Sequence, residues 1–92
     1  MAKAIIVDKL DNVIVAIEPI VKGEEAVYVL DGTTHRIIAE NDITIYHKLA
    51  SKNIKKDEPI VKYGEHIGLA SREIKAGEHV HTHNVQDHRE EL

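Results

Sequence analysis

Seven histidines occur in 92 residues, and four of them fall in the last 14. The densest run is His79-Val80-His81-Thr82-His83-Asn84. Side chains alternate faces along a strand, so His79, His81 and His83 would share one face while Val80 and Thr82 take the other. Same-face neighbours stand roughly 6–7 Å apart at a rise of about 3.3 Å per residue. Two such imidazoles can close on one metal ion; three do so only where the strand bends or another ligand-bearing segment approaches. Neutral imidazole suits zinc, iron, nickel and copper alike, so spacing does not name the metal. The same pattern also describes the wet face of an edge strand, and a protonated imidazole there would equally suit a carboxylate ligand.

Tyr46-His47-Lys48 offers a second set, in which His47 and Lys48 are candidates for an acid, a base or an anion contact. Lys62-Tyr63-Gly64, followed by Glu65-His66-Ile67-Gly68, reads as a hairpin whose two glycines allow close backbone approach. Plain surface positions are the alternative in both places. There is no P-loop, no dinucleotide-binding glycine fingerprint, no H-E-x-x-H and no cysteine nucleophile, which excludes a self-contained enzyme of those kinds.

The elements that must position these residues read as short strands. β-Branched runs at residues 4–7, 13–17, 26–30 and 35–39 are broken by Asp11-Asn12 and Asp31-Gly32. Asp31-Gly32 suits a two-residue hairpin turn, which predicts pairing of residues 27–30 with 35–38. Residues 45–53 read as one short helix, with Leu49 four residues after Ile45 and Asp42 or Thr44 as its cap. Strands at 59–63, 66–70 and 79–84 complete an all-β chain with one helical turn or two. Three segments, Ile20-Val21-Lys22-Gly23-Glu24, Ile54-Lys55-Lys56-Asp57-Glu58 and Ile74-Lys75-Ala76-Gly77-Glu78, look like one corner used repeatedly. Gly23, Asp57 and Gly77 stand where a left-handed residue would reverse the chain. Residues 85–92 read as a tail, solvated from Asp87 to Leu92.

Ninety-two residues make one domain, so any function is borne by one small core or shared with another chain. With no cysteine for a disulfide, such a core gains from association with further copies or with a partner. A net charge of −4 argues against a nucleic-acid binder, which needs a basic surface to displace counterions. No stretch approaches the roughly 20 apolar residues of a membrane span and no secretory pattern opens the chain, so a cytoplasmic location is expected.

Asp42-Ile43-Thr44-Ile45-Tyr46-His47-Lys48, Lys62-Tyr63-Gly64, Ile67-Gly68 and Gly77-Glu78-His79-Val80-His81-Thr82-His83-Asn84, in that order, resemble the SAF-type domain of altronate dehydratases. The resemblance runs from about Asp11 to Asn84. It implies a β-clip fold in a single SAF-like domain, 1–92, with its core at about 11–84. It also implies either the N-terminal part of a long sugar-acid dehydratase or a separate small subunit beside a large one. The small subunit of sulfolactate sulfo-lyase is similar, which leaves hydroxide or sulfite open as the leaving group. The family commonly has glycine before the His-Lys pair, where this chain has Tyr46.

What the resemblance implies chemically is β-elimination from a hydroxy acid to a 2-keto-3-deoxy acid, dependent on a divalent metal, typically Fe(II). On that reading His81 and His83 are metal ligands and, with His47, catalytic groups. Asn84 orients the substrate, Lys48 and Lys62 hold its oxygens as point charges, and a large dehydratase subunit completes the site. The competing reading is a non-catalytic module that binds a sugar acid or carbohydrate. A stand-alone metal-binding protein is a weaker third, because no third or fourth ligand is evident in the sequence.

Overall fold

In the computed structural model, residues 1–86 are described. They form nine strands: β1 (Ala2–Ile5), β2 (Val13–Ala16), β3 (Glu25–Leu30), β4 (Thr33–Ile38), β5 (Lys48–Ala50), β6 (Pro59–Lys62), β7 (Glu65–Ala70), β8 (His79–Val80) and β9 (Val85–Gln86). One sheet runs β4-β3-β1-β2-β5-β8 and a smaller one β6-β7-β9. The β1–β3 pair is parallel and the other pairs are antiparallel.

The all-β expectation holds, but its one short helix does not: no helix occurs among the described residues. Residues 45–53 instead hold a turn, then β5. Tyr46 has φ +69°, a left-handed conformation that a right-handed helix cannot propagate. Leu49, fully buried, sits in the ladder opposite Ile14, so its spacing from Ile45 has no helical meaning. The fold also begins before Asp11 and reaches past Asn84. Ala2 and Ala4 of β1 are buried, and Val85 pairs with Ala70. The Asp31-Gly32 hairpin forms as expected, with φ +51° and +77° at the two turn residues and β3 paired to β4 along its length.

The repeated corner occurs four times. Each unit has a buried alanine, a buried isoleucine four residues on, and a turn residue with positive φ three residues after that. The sets are Ala16-Ile20-Gly23, Ala39-Ile43-Tyr46, Ala50-Ile54-Asp57 and Ala70-Ile74-Gly77. The units interlock in pairs. The turn residue's N–H donates to an alanine carbonyl at 2.7–2.8 Å (Gly23 to Ala39, Tyr46 to Ala16, Asp57 to Ala70, Gly77 to Ala50). That alanine's N–H answers the next residue's carbonyl at 2.9 Å. The isoleucines bridge Ile20 to Ile43 and Ile54 to Ile74. The buried polar backbone of each corner is thus satisfied reciprocally, as burial requires.

In three corners a glutamate closes the turn: Glu24, Glu58 and Glu78 each accept the N–H three residues back, at 3.1, 2.7 and 2.9 Å. Ile20 and Ile43 belong to one apolar cluster, Ile54 and Ile74 to the other. Gly77 has a second reason to be glycine. Beyond its φ of +91°, a Cβ there would run into the carbonyl oxygen of Ile38.

Candidate metal centre

The fourth corner is where chemistry enters. Its positive-φ residue is Tyr46, and the position held elsewhere by a turn-closing glutamate is His47. The His47 N–H donates to the Thr44 carbonyl at 2.9 Å, so the turn is kept, while the imidazole reaches across to β8.

Residues 79–84 are not one strand, contrary to the sequence expectation. β8 ends at Val80, and a turn follows, with the Asn84 N–H donating to the His81 carbonyl at 3.1 Å. In the ladder β8 pairs with β5, through Lys48–Val80 and Leu49–His79, while β9 joins the other sheet. The chain between them must therefore change sheets, which a straight strand cannot do. The bend draws the rings together. Centroids of His79 and His81 are 5.5 Å apart, and those of His79 and His83 are 5.4 Å apart.

His47 arrives from the fourth corner and stacks on His79 at 5.1 Å and on His81 at 4.6 Å. Its Nδ1 lies 2.9 Å from His79 Nε2. One ligand atom from each of His47, His79 and His81 lies within 4.8 Å of the others. Two imidazoles sharing one ion at about 2.1 Å have nitrogens roughly 3.0–3.4 Å apart, so the His47–His79 pair is already near that spacing. Among the described residues the donor set is three imidazole nitrogens without a carboxylate, which fits a borderline divalent transition metal rather than calcium or magnesium.

Of the expected site residues, the structure brings His47 and His81 together. His83 stands against His79, outside that group of three. The family resemblance gives His79 no role, although its spacing puts it on one face with His81 and His83, and it touches all three other imidazoles. Its one local signal is the alternation it shares with His81 and His83. Burial first, then the neighbouring His47, His83, His81 and Lys48, holds the His79 pKa below its ordinary value. That favours the neutral form a metal requires.

Lys48, on β5 directly after His47, is half-buried; burial and then the nearby Lys62 lower its pKa. Lys62 is held near by the 11–12 loop: Asp11 accepts the Gly64 N–H at 2.8 Å, and Asn12 accepts from Val61 and donates to Pro59 at 2.8 and 2.9 Å. Lys48 thus stands near both His79 and Lys62. Asn84 is fully buried. Its side chain accepts the His81 N–H at 3.0 Å and donates to the His79 carbonyl at 2.9 Å.

Comparison with known proteins adds to this geometry. The profile of the altronate/galactarate dehydratase SAF domain matches residues 2–88. Over 86 residues the chain is 42% identical to altronate dehydratase of Bacillus subtilis strain 168, covering 94% of this chain and 16% of that protein. Over 76 residues it is 38% identical to (2R)-sulfolactate sulfo-lyase subunit alpha of Chromohalobacter salexigens, covering 76% of this chain and 81% of that subunit. The corresponding subunit alpha of Paracoccus pantotrophus is 41% identical over 59 residues, covering 64% of this chain and 88% of that one. The chain therefore spans about one sixth of the altronate dehydratase it matches but most of the sulfo-lyase subunits.

Proposed function

This chain belongs to the altronate/galactarate dehydratase SAF domain family, and on that premise we propose that it is the small subunit of a metal-dependent sugar-acid dehydratase, working with a large subunit. The observation that carries the reading is the convergence of His47, His79 and His81 from two distant segments, with Lys48 near them and Lys62 near Lys48. A surface strand of histidines has no reason to recruit a third imidazole from another corner.

His47, His79 and His81 would hold the metal, for which Fe(II) is our candidate. When bound, it would supply Lewis acidity toward the hydroxy acid's oxygens. Lys48 and Lys62 attract and orient the substrate carboxylate as point charges, and their mutual repulsion is relieved when an anion sits between them. His83, exposed at the edge of the cluster, would donate the proton with which the hydroxyl leaves as water. The base that takes the α-proton is assigned to the large subunit.

The sulfo-lyase reading is favoured by a specific observation, the 81% and 88% coverage of the two alpha subunits. The two readings differ in substrate and in leaving group, hydroxide or sulfite. The deciding experiment recovers the large chain bound to the tagged 92-residue protein from its native cell extract and offers the complex hexonates and sulfolactate. Formation of a 2-keto-3-deoxy acid supports the dehydratase and release of sulfite supports the lyase. A stoichiometric complex that eliminates neither group overturns both in favour of a binding module.

A further inference from the structure

The geometry points to Asn84, seconded by Asn41, as the clamp that sets the spacing of the imidazoles: both are positioning residues for the metal centre rather than contacts to substrate. The inference rests on the metal-site reading above. Asn84 is fully buried, and both ends of its carboxamide are engaged with backbone. Oδ1 takes the His81 N–H at 3.0 Å, and Nδ2 gives to the His79 carbonyl at 2.9 Å. Its own N–H closes the turn on the His81 carbonyl at 3.1 Å, and its carbonyl receives the Ser71 N–H at 3.0 Å. Fully buried and bonded to backbone at both ends, this side chain is not presented to a substrate.

What the clamp achieves is visible in the spacing. Alternate residues of a regular strand hold their side chains about 6–7 Å apart. Here His79 and His81 have ring centroids 5.5 Å apart, and His83 comes within 5.4 Å of His79, because the chain turns where Asn84 ties residues 79 and 81 together. From the opposite side Asn41 accepts the His79 N–H at 3.0 Å. Asn41 lies in the same corner unit, Ala39 to Tyr46, that delivers His47. The backbone of His79 is therefore fixed on its N–H by the segment carrying His47 and on its C=O by the turn carrying His81. Groups bonded to the ligand rings themselves are worth about 10–100-fold in metal affinity, and a clamp on the ligands' backbone is expected at the lower end of that range.

The test uses the full chain with Co(II) alone as probe, read by calorimetric titration and by the visible spectrum of the bound ion. Asn84→Ala and Asn41→Ala are compared with Asn53→Ala, which removes a similar side-chain cap, on the Ala76 N–H at 2.9 Å, away from the histidines. The expected result is a Co(II) Kd raised about 10-fold or more in the first two, with a changed spectrum, and an unchanged Kd in Asn53→Ala. Asn41 is exposed, so its variant remains informative where Asn84→Ala fails to fold. Folded Asn84 and Asn41 variants that bind Co(II) as the wild type does overturn the inference. Should wild type bind no Co(II), the metal reading falls instead. The clamp is then judged by NMR of the metal-free imidazoles: loss of the His47–His79 hydrogen-bonded proton in Asn41→Ala upholds it, and retention overturns it.

Discussion

His47 Nδ1 lies 2.9 Å from His79 Nε2, although 32 residues separate them in the chain. In the metal-free protein one ring donates to the other. A bound metal would be held by the lone pairs of both nitrogens, so a proton here occupies the place a cation would take.

That exchange predicts that His47→Ala, His79→Ala and His81→Ala each weaken Co(II) binding by about 100-fold. The figure follows from zinc-site energies of about 10–16 kcal/mol spread over four ligands, roughly 3 kcal/mol each. His83→Ala, outside the group of three, leaves the affinity within a few-fold of wild type while lowering turnover of the assembled enzyme. Titration of the four variants checks the ranking; equal losses at His81 and His83 would return the ligand set to the one expected from sequence.

Tyr46 occupies the corner position taken by Gly23 and Gly77 in two other units, with φ +69°. A side chain costs about 1–2 kcal/mol in that conformation, and glycine gives back roughly 0.5–1 kcal/mol through its freer unfolded chain. Tyr46→Gly should therefore stabilise the chain by about 0.5–1 kcal/mol, read as a higher urea midpoint, and Tyr46→Val should destabilise it. A lower midpoint for the glycine variant would mean that the exposed ring holds contacts worth more than the strain.

Gly23 and Gly77 separate conformational strain from close packing. Both have φ near +90°, but a Cβ at Gly23 meets nothing within 4 Å, whereas one at Gly77 strikes the Ile38 carbonyl. Gly23→Ala should cost about 1–2 kcal/mol. Gly77→Ala should cost several kcal/mol more or prevent folding, because the obstacle is backbone bonded into the sheet. Equal midpoints would show that the Ile38 strand end yields.

These corners explain what the sequence made legible. Three could be read because Gly23, Asp57 and Gly77 are residues that tolerate positive φ, each followed by a glutamate. The fourth stayed hidden, and a helix was expected in its place, because Tyr46-His47 carries neither signal; only the Ala-x-x-x-Ile spacing of Ala39 and Ile43 marks it. The end of β8 was hidden for the opposite reason: His79, Val80, His81, Thr82 and His83 alternate perfectly, and the turn is made by Asn84 beyond them. Contact of His47 with His79 depends on both hidden features, so local pattern could place His79, His81 and His83 on one face but could not bring His47 to them.

The lowered pKa of His79 makes it a source of acid-side loss of stability. Unfolded, the ring takes up a proton as pH falls through about 6.5. Folded, it does so only at lower pH, so between the two values the unfolded state binds more protons and stability falls as pH falls. His79→Gln should flatten the urea midpoint across this window, and a slope unchanged by the substitution would assign the effect to another group.

Lys48 is the residue at which site and stability oppose each other most plainly. Burial and Lys62 both act against its charged form, so the unfolded state holds the Lys48 proton more firmly than the folded one. At neutral pH, below both values, the ammonium is charged in each state and the folded protein bears the cost of its desolvation and repulsion. Lys48→Met keeps the apolar stem and removes the charge. It should raise the urea midpoint of the isolated chain and remove the extra stability that alkaline pH gives wild type, while abolishing anion binding and turnover in the assembled enzyme. A protein neither more stable nor less active after this change would show that Lys48 is only a surface lysine, and Lys62 would then carry the anion alone.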